Sequence, residues 1–322
     1  MSTILGDKYM SLVEANKRKG YDRNEGFLLE LAKQHHALDV LPFLPASDNA
    51  FHSYNQATLV GQGAWRDLNE GRESTYGSME SITTPVQLFS AESNISDDVL
   101  RTADAPADTR DSENLLVATG LVEDFMSSFV YSDGSDPKCM KGLVFYRPKL
   151  GEYCIDGGGT SSGSLTSMYT ANMGKNGVNV RYNPKLTGDS HGIGLKICDE
   201  GAVWKQDKKG RDMKVWKTTY DLTAALEVRQ NKSLVRIANI DPSGELQLKT
   251  LIKAIMKLPT LDGAVIFAPK CIEEMLINMA LTAGQNQMRY EDVETFGPIL
   301  KVMGVPVLIE EAILTSEAKL TA

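Results

Sequence analysis

At 322 residues, 42% of them hydrophobic, the chain is long enough to bury a sizeable core and to divide into more than one structural unit. A net charge of −8 excludes a general nucleic-acid binder, the longest apolar runs are too short to span a membrane, and four cysteines (139, 154, 198, 271) without a C-x-x-C pair exclude a disulfide framework or a zinc site. The opening residues lack a basic stretch followed by an apolar core, so no signal peptide is expected, and synthesis and folding are expected in the cytoplasm.

The first fifty residues predict two short helices, 9–19 and 25–38, the second stopped by the prolines of "LPFLP". Charges are scattered through both, leaving too little apolar surface for an independent core. The segment reads as an arm lying on something else. From 51 to 93 the pattern turns extended. Segments 58–65 and 79–91 are rich in Thr, Val, Ile and Leu, and the polar "RDLNEGREST" with Gly71 separates them. This predicts a long β-hairpin. A two-stranded ribbon is marginal alone, so it must lie against another layer or another chain, which favours assembly over catalysis.

Residues 91–136 carry eleven acidic and two basic side chains (Arg101, Arg110), a local balance of −9 that leaves the remainder at +1. Such a segment repels a phosphate backbone. Within it, Leu115, Ala118, Val122, Phe125 and Phe129 recur at helical spacing and predict a helix over 108–131, capped by Asp108 or Thr109 and ended by Asp133-Gly134. Its length would be about 36 Å.

The stretch "CIDGGGTSSGS", 154–164, invites comparison with phosphate-cradling loops. It fails the specific tests. Gly158 and Gly163 have the P-loop separation, but Ser164 and Leu165 stand where lysine and a hydroxyl are required, and a dinucleotide pattern begun at Gly157 meets Ser162 at its third glycine. The glycines are expected to permit positive φ and a sharp redirection of the chain. A nucleotide-binding enzyme using the Gly157–Gly159 loop is kept as the alternative from another functional class.

Residues 165–212 read as a looser region with turn signals at Gly174, Gly177, Pro184 and Gly188. Order returns at 215–240. Tyr220, Leu222, Ala224, Leu226 and Val228 alternate with Asp221, Thr223, Ala225 and Glu227, and "QNK" is expected to turn into a second strand at 234–240, making a β-hairpin. The remainder alternates: a helix over 246–258, a buried strand at 263–268, a helix opened by Pro269 and closed by Gly284, and a strand at 302–309. The methionines on these helices read as core filling. Together these make a compact α+β unit.

Nothing in the chain pairs a nucleophile with a base, a carboxylate with a carboxylate, or histidines at metal-ligand spacing. His35 and His36 are adjacent and point about 100° apart on a helix. No catalytic residue, cofactor or metal is expected, and the chain is expected not to be an enzyme.

Four segments in this order, "WRDLNEG" (65–71), "IDGGGT" (155–160), "VRIANID" (235–241) and "MGVPV" (303–307), give a resemblance to the major capsid proteins of tailed bacteriophages, and within them to the short-tailed-phage gene-product-seven type. The resemblance implies an α+β chain of the Hong Kong 97-type capsid fold. It implies an N-terminal arm at 1–50, an extended β-hairpin loop at 51–94, and a peripheral domain at 95–245 with spine helix 108–131 and hairpin 215–240. An axial domain at 246–300 and a C-terminal strand and tail at 301–322 complete it. Because the 215–240 hairpin precedes the compact α+β unit, a rearranged strand order is expected.

It further implies a virion shell protein, assembled in the host cytoplasm into hexamers and pentamers of an icosahedral head around double-stranded DNA held without sequence-specific binding. Expected partners are copies of itself, a portal protein and a cement or decoration protein, with no membrane. An encapsulin-like compartment is the alternative within the same fold. At the ribbon tip, Arg66, Asp67, Glu70, Arg72 and Glu73 alternate in charge and are the candidate subunit contacts. Some relatives cross-link through a lysine of the extended loop; residues 51–93 contain none, so noncovalent stabilisation is expected. The fifty residues before the ribbon are too few for a large cleavable scaffolding domain, and an uncleaved product is expected.

Overall fold

In a computed structural model the chain is described over residues 35–48, 50–187, 195–244, 246–282, 288–293 and 297–321. The two helices expected in the arm lie outside these residues apart from 35–38. There a short helix, α1 (His36–Val40), ends with Leu41 already extended, as the residue before a proline must be.

A three-residue strand, β1 (Phe43–Pro45), leads into the ribbon, β2 (Phe51–Leu59) paired antiparallel with β3 (Ser78–Pro85). The ribbon differs from the expected one in two ways. Its first strand lies earlier, so 60–65 is not part of the ladder. The strand expected at 79–91 is two strands. Pro85 has no N–H to continue the pairing, and beyond Val86 the chain becomes β4 (Gln87–Ser96), which joins the body instead.

A short helix, α2 (Asp97–Thr102), precedes the long one, α3 (Pro106–Tyr131). The latter has 26 residues and begins on a proline, where a missing donor costs nothing. Ala118, Leu121, Val122, Phe125, Met126, Phe129 and Val130 form its buried stripe. Gly134, at φ +78°, turns the chain back, and α4 (Leu143–Tyr146) packs under the helix end. A Cβ at Gly142 would stand 2.6 Å from the Ser128 carbonyl oxygen, so the close approach needs glycine.

Two sheets follow. Their remaining elements, in chain order, are β5 (Cys154–Asp156), β6 (Thr166–Asn172), β7 (Val178–Tyr182), α5 (Pro184–Thr187), β8 (Leu195–Gln206), β9 (Asp212–Val228) and β10 (Leu234–Ile240). Then come α6 (Leu248–Ile255), β11 (Ala264–Ala268), α7 (Glu273–Thr282), β12 (Met288–Val293), β13 (Gly297–Val302) and β14 (Val305–Ile309).

The smaller sheet has five strands in the order β1-β7-β9-β4, with β8 also on β9. The alternation in β9 is as expected: Tyr220, Leu222, Ala224, Leu226 and Val228 share one core with the buried stripe of α3. The larger sheet has seven strands in the order β12-β13-β14-β11-β6-β10-β5, and β6 lies between β10 and β11 with every residue buried. Leu251, Ala254 and Ile255 of α6 and Leu276 of α7 pack on it.

The region expected to be loose, 165–212, therefore holds β6, β7 and β8. A strand buried on both faces shows no alternation, and "TSMYTAN" is too polar to announce itself as an apolar run. Gly174 and Gly177 mark the tight turn between two buried strands, not a loop region. The hairpin expected at 215–240 is not formed. β9 and β10 lie in different sheets, and the hairpin partner of β9 is β8. The premise for a rearranged strand order is thereby removed. Three strands of the larger sheet precede residue 245 and four follow it. The strand expected at 302–309 is β14 preceded by the end of β13, joined through Met303 and Gly304, both at positive φ (52° and 83°), the conformation of a tight hairpin turn.

The C-terminal segment straps these layers together. Glu317 pairs its backbone with Leu165 and Gly163. Its carboxylate accepts from Tyr131 Oη at the end of α3 (2.7 Å), from Arg236 Nη2 on β10 (2.8 Å) and from Ser167 Oγ on β6.

Candidate subunit-contact ribbon

The root of the ribbon sits on the polar face of β9. Side chains alternate along β2, so His52 and Tyr54 point towards the body, their rings stacked at 5.9 Å, while Phe51, Ser53 and Asn55 point away. Beneath them lies Glu227 of β9, which accepts from Arg181 Nε of β7 at 2.6 Å and has His52 Nε2 3.3 Å from the same oxygen. Arg181 also donates to the Pro45 carbonyl at 3.2 Å, fastening the chain just before the ribbon. All three charged or ionisable side chains are buried.

The backbone settles the state of His52. Ser47 N–H donates to His52 Nδ1 at 3.1 Å, so this nitrogen is the acceptor and the ring proton sits on Nε2, towards Glu227. Burial holds the imidazole below its ordinary range, and the positive charges of Arg181 and Arg229 add to that against the attraction of Glu227. Burial, with the Glu227 charge, pushes Tyr54 up to about 12.

Beyond Leu59 the ladder stops, and residues 60–77 are exposed throughout. Arg66 Nη1 donates to the Glu70 carbonyl (2.8 Å), Asp67 N–H to the Glu70 carboxylate (3.1 Å) and Leu68 N–H to Asp67 Oδ1 (2.8 Å). Of the residues singled out by charge, Arg66, Asp67 and Glu70 are thus brought together in one closed turn. Arg72 and Glu73 are exposed and have no hydrogen bond or ion pair among the described residues.

The apolar side chains were the missed feature. Trp65 and Leu68 are 104% and 95% exposed, and Val60, Tyr76 and Met79 are also largely in solvent. Full burial of such a side chain is worth about 1.5–3 kcal/mol, so this tip presents unrealised stabilisation of several times that. The signal was present in the sequence: a tryptophan, a leucine and a tyrosine spread through a stretch with Gly61, Gly63, Gly71 and Gly77, where no period of 2 or 3.6 could turn them towards a core.

The glycine loop has a different use. Gly157 N–H and Gly159 N–H donate to the Ala238 and Asn239 carbonyls, each at 2.7 Å, and Gly158 N–H donates to Asp156 Oδ1 at 3.1 Å. A Cβ at Gly157 would lie 2.8 Å from Ile240, and one at Gly159 2.6 Å from the Asn239 oxygen. The amides that would wrap a phosphate already hold β10. Only Gly158 of the three has a positive φ, +90°. The loop is a close-packed turn, which supports the shape reading over nucleotide binding.

Comparison with known proteins places this geometry. The model of a family described as Major capsid protein GP7 matches residues 28–321. Among solved structures, the chain aligns with that of bacteriophage Epsilon15 at a TM-score of 0.69 and 18% identity, covering 100% of each chain. The capsid of bacteriophage JBD30 aligns at 0.48 and 11% identity, over 92% of this chain and 97% of that one. The SrpI encapsulin of Synechococcus elongatus PCC 7942 aligns at 0.48 and 12% identity, over 72% and 96%. No curated protein matches.

Proposed function

The chain belongs to the major capsid protein GP7 family, a structural protein of the virion with the Hong Kong 97-type capsid fold that self-assembles into a shell, and on that premise we propose that the ribbon tip is the main subunit contact. One observation carries this reading: Trp65, Leu68 and Tyr76 are displayed at the end of a ribbon whose root alone is held by its own body. A monomer has no use for such a tip. A neighbouring copy that covers it gains apolar burial, and closure of the shell makes each modest contact cooperative with the others.

In this reading the subunits form hexamers and pentamers of an icosahedral head assembled in the host cytoplasm. The extended loop is 51–94, the arm 1–50, and the peripheral domain is α3 with the smaller sheet. The axial domain is the larger sheet with α6 and α7, so it joins β5, β6 and β10 from before residue 245 to β11, β12, β13 and β14 from after it. Arg66, Asp67, Glu70, Arg72 and Glu73 orient the contact, while the apolar side chains supply its stabilisation. Without a lysine in 51–93 the contact is noncovalent, with room for a cement protein and a portal protein as further partners. The acidic stretch 91–136 keeps enclosed double-stranded DNA unbound. No catalysis is part of the role.

The test is Trp65→Ser with Leu68→Ser. The doubly substituted subunit should keep its wild-type circular dichroism and melting temperature yet need at least about tenfold more protein to form particles by sedimentation and electron microscopy, the effect of about 1.4 kcal/mol per contact. Normal shells at wild-type concentration would contradict the reading.

A further inference from the structure

We propose that His52 is a proton-sensitive positioning residue of the ribbon: neutral, it closes the joint between ribbon and body; protonated, it opens that joint and lets the ribbon leave its assembly direction. The inference rests on the ribbon being the subunit contact and says how that contact is aimed.

The geometry is that of a joint held by polar groups. The ribbon root meets the body through His52, Glu227 and Arg181. The set is incompletely satisfied. Glu227 Oε1 and His52 Nε2 are buried without a well-aligned hydrogen bond among the described residues. A partly satisfied buried network is poised, because a small change in charge alters which arrangement is best. The turn before the ribbon depends on the same ring: Ser47 N–H reaches His52 Nδ1, and Ser53 N–H reaches Ser47 Oγ at 2.8 Å.

A proton added to the ring must go to Nδ1. That sets an N–H directly against the Ser47 N–H, two donors with no acceptor between them. Among the described residues, the charges that act most on the ring are those of Glu227, Arg181 and Arg229. Glu227 of β9 attracts the imidazolium. Arg181 of β7 and Arg229, just beyond β9, repel it. Tyr54 of β2 and Tyr146 of α4, both raised by burial, stay neutral through the range concerned. With the closed joint holding the histidine below its ordinary value of 6.5, the open joint binds the proton more readily. Closure is therefore fully present above that value and is lost as the pH falls below it.

Hydrogen exchange across residues 46–59 of the unassembled subunit, corrected for intrinsic rate and followed from about pH 8 to about pH 5, reads the joint directly. Protection at Ser47 and Ser53 should fall several-fold on the acid side in the wild-type chain. In His52→Gln the dependence should vanish, whereas His35→Gln should retain it. Particle formation should slow over the same range in wild type and not in His52→Gln.

Exchange that does not vary with pH in wild type, or a step that survives in His52→Gln, overturns the proposal. Should His52→Gln fail to fold, nitrogen chemical shifts of the labelled wild-type ring decide: a proton on Nδ1 at neutral pH refutes it. The exchange experiment needs no assembly, so it can succeed even where the Trp65 and Leu68 test fails.

Discussion

Glu317 in the body and Glu227 beneath the ribbon each set a carboxylate against a buried arginine, and they are satisfied to different degrees. Glu317 receives donors on both oxygens, from Tyr131, Ser167 and Arg236, and Arg236 in turn donates to Ser167 Oγ and the Arg147 carbonyl. Glu227 has one oxygen with Arg181 and His52 beside it and the other without a hydrogen bond among the described residues. A closed network of buried charges specifies a single arrangement, whereas an open one leaves the neighbouring element free to take another. The body is thus clamped through its polar core, and the ribbon is only leaned on it. A subunit that must keep its shape while adjusting to neighbours needs both.

The two carboxylates should differ most when each is removed. Glu317→Ala leaves Arg236 buried without a counter-charge and should cost about 3–5 kcal/mol in urea denaturation, while Glu227→Gln should cost less than half as much. Equal losses would mean that the two sites are alike. Glycines repeat the contrast on a smaller scale. Gly159→Ala puts a Cβ 2.6 Å from the Asn239 oxygen and from Leu165, and should lose about 1–3 kcal/mol. Gly63→Ala at the tip meets nothing within 4 Å and should stay within about 0.5 kcal/mol.

The two described buried histidines sharpen it further, because they respond to pH with opposite sign. Burial lowers the affinity of His35 for a proton, but its 2.6 Å hydrogen bond to Glu310 and that carboxylate's charge outweigh this and hold it above 6.5. Its contribution to stability is fully present below 6.5 and lost as the pH rises through the higher folded value. Urea midpoints compared for wild type and His35→Gln should differ on the acid side and converge on the alkaline side. A small effect on assembly is expected from Arg72→Glu, an exposed charge worth less than about 1 kcal/mol, seen as a slight rise in the protein concentration needed for particles.

What could be read from the residues divides along the same line. The long helix announced itself because Leu115, Ala118, Val122, Phe125 and Phe129 recur at helical spacing along α3, and β9 because its alternation survives wherever one face is polar. β6 gave no such sign, since both its faces are buried and most of its polar side chains find partners in other segments, Thr166 with the Leu314 carbonyl, Ser167 with Glu317 and Asn172 with Thr260. The pairing of β9 with β4 and β7 is non-local information that no short window contains. At the site, the charged tip was legible as charge, but Glu227 and Arg181 lie far along the chain from His52, and only the fold makes them neighbours.

Under the proposed function the ribbon tip is completed by another copy of the chain. A density map of the assembled particle by electron cryomicroscopy tests it most directly. Trp65, Leu68 and Tyr76 should be covered by a neighbouring subunit, with the root still seated on Glu227 of its own. A ribbon folded back over its own body, or a tip left in solvent on the assembled shell, would contradict the account.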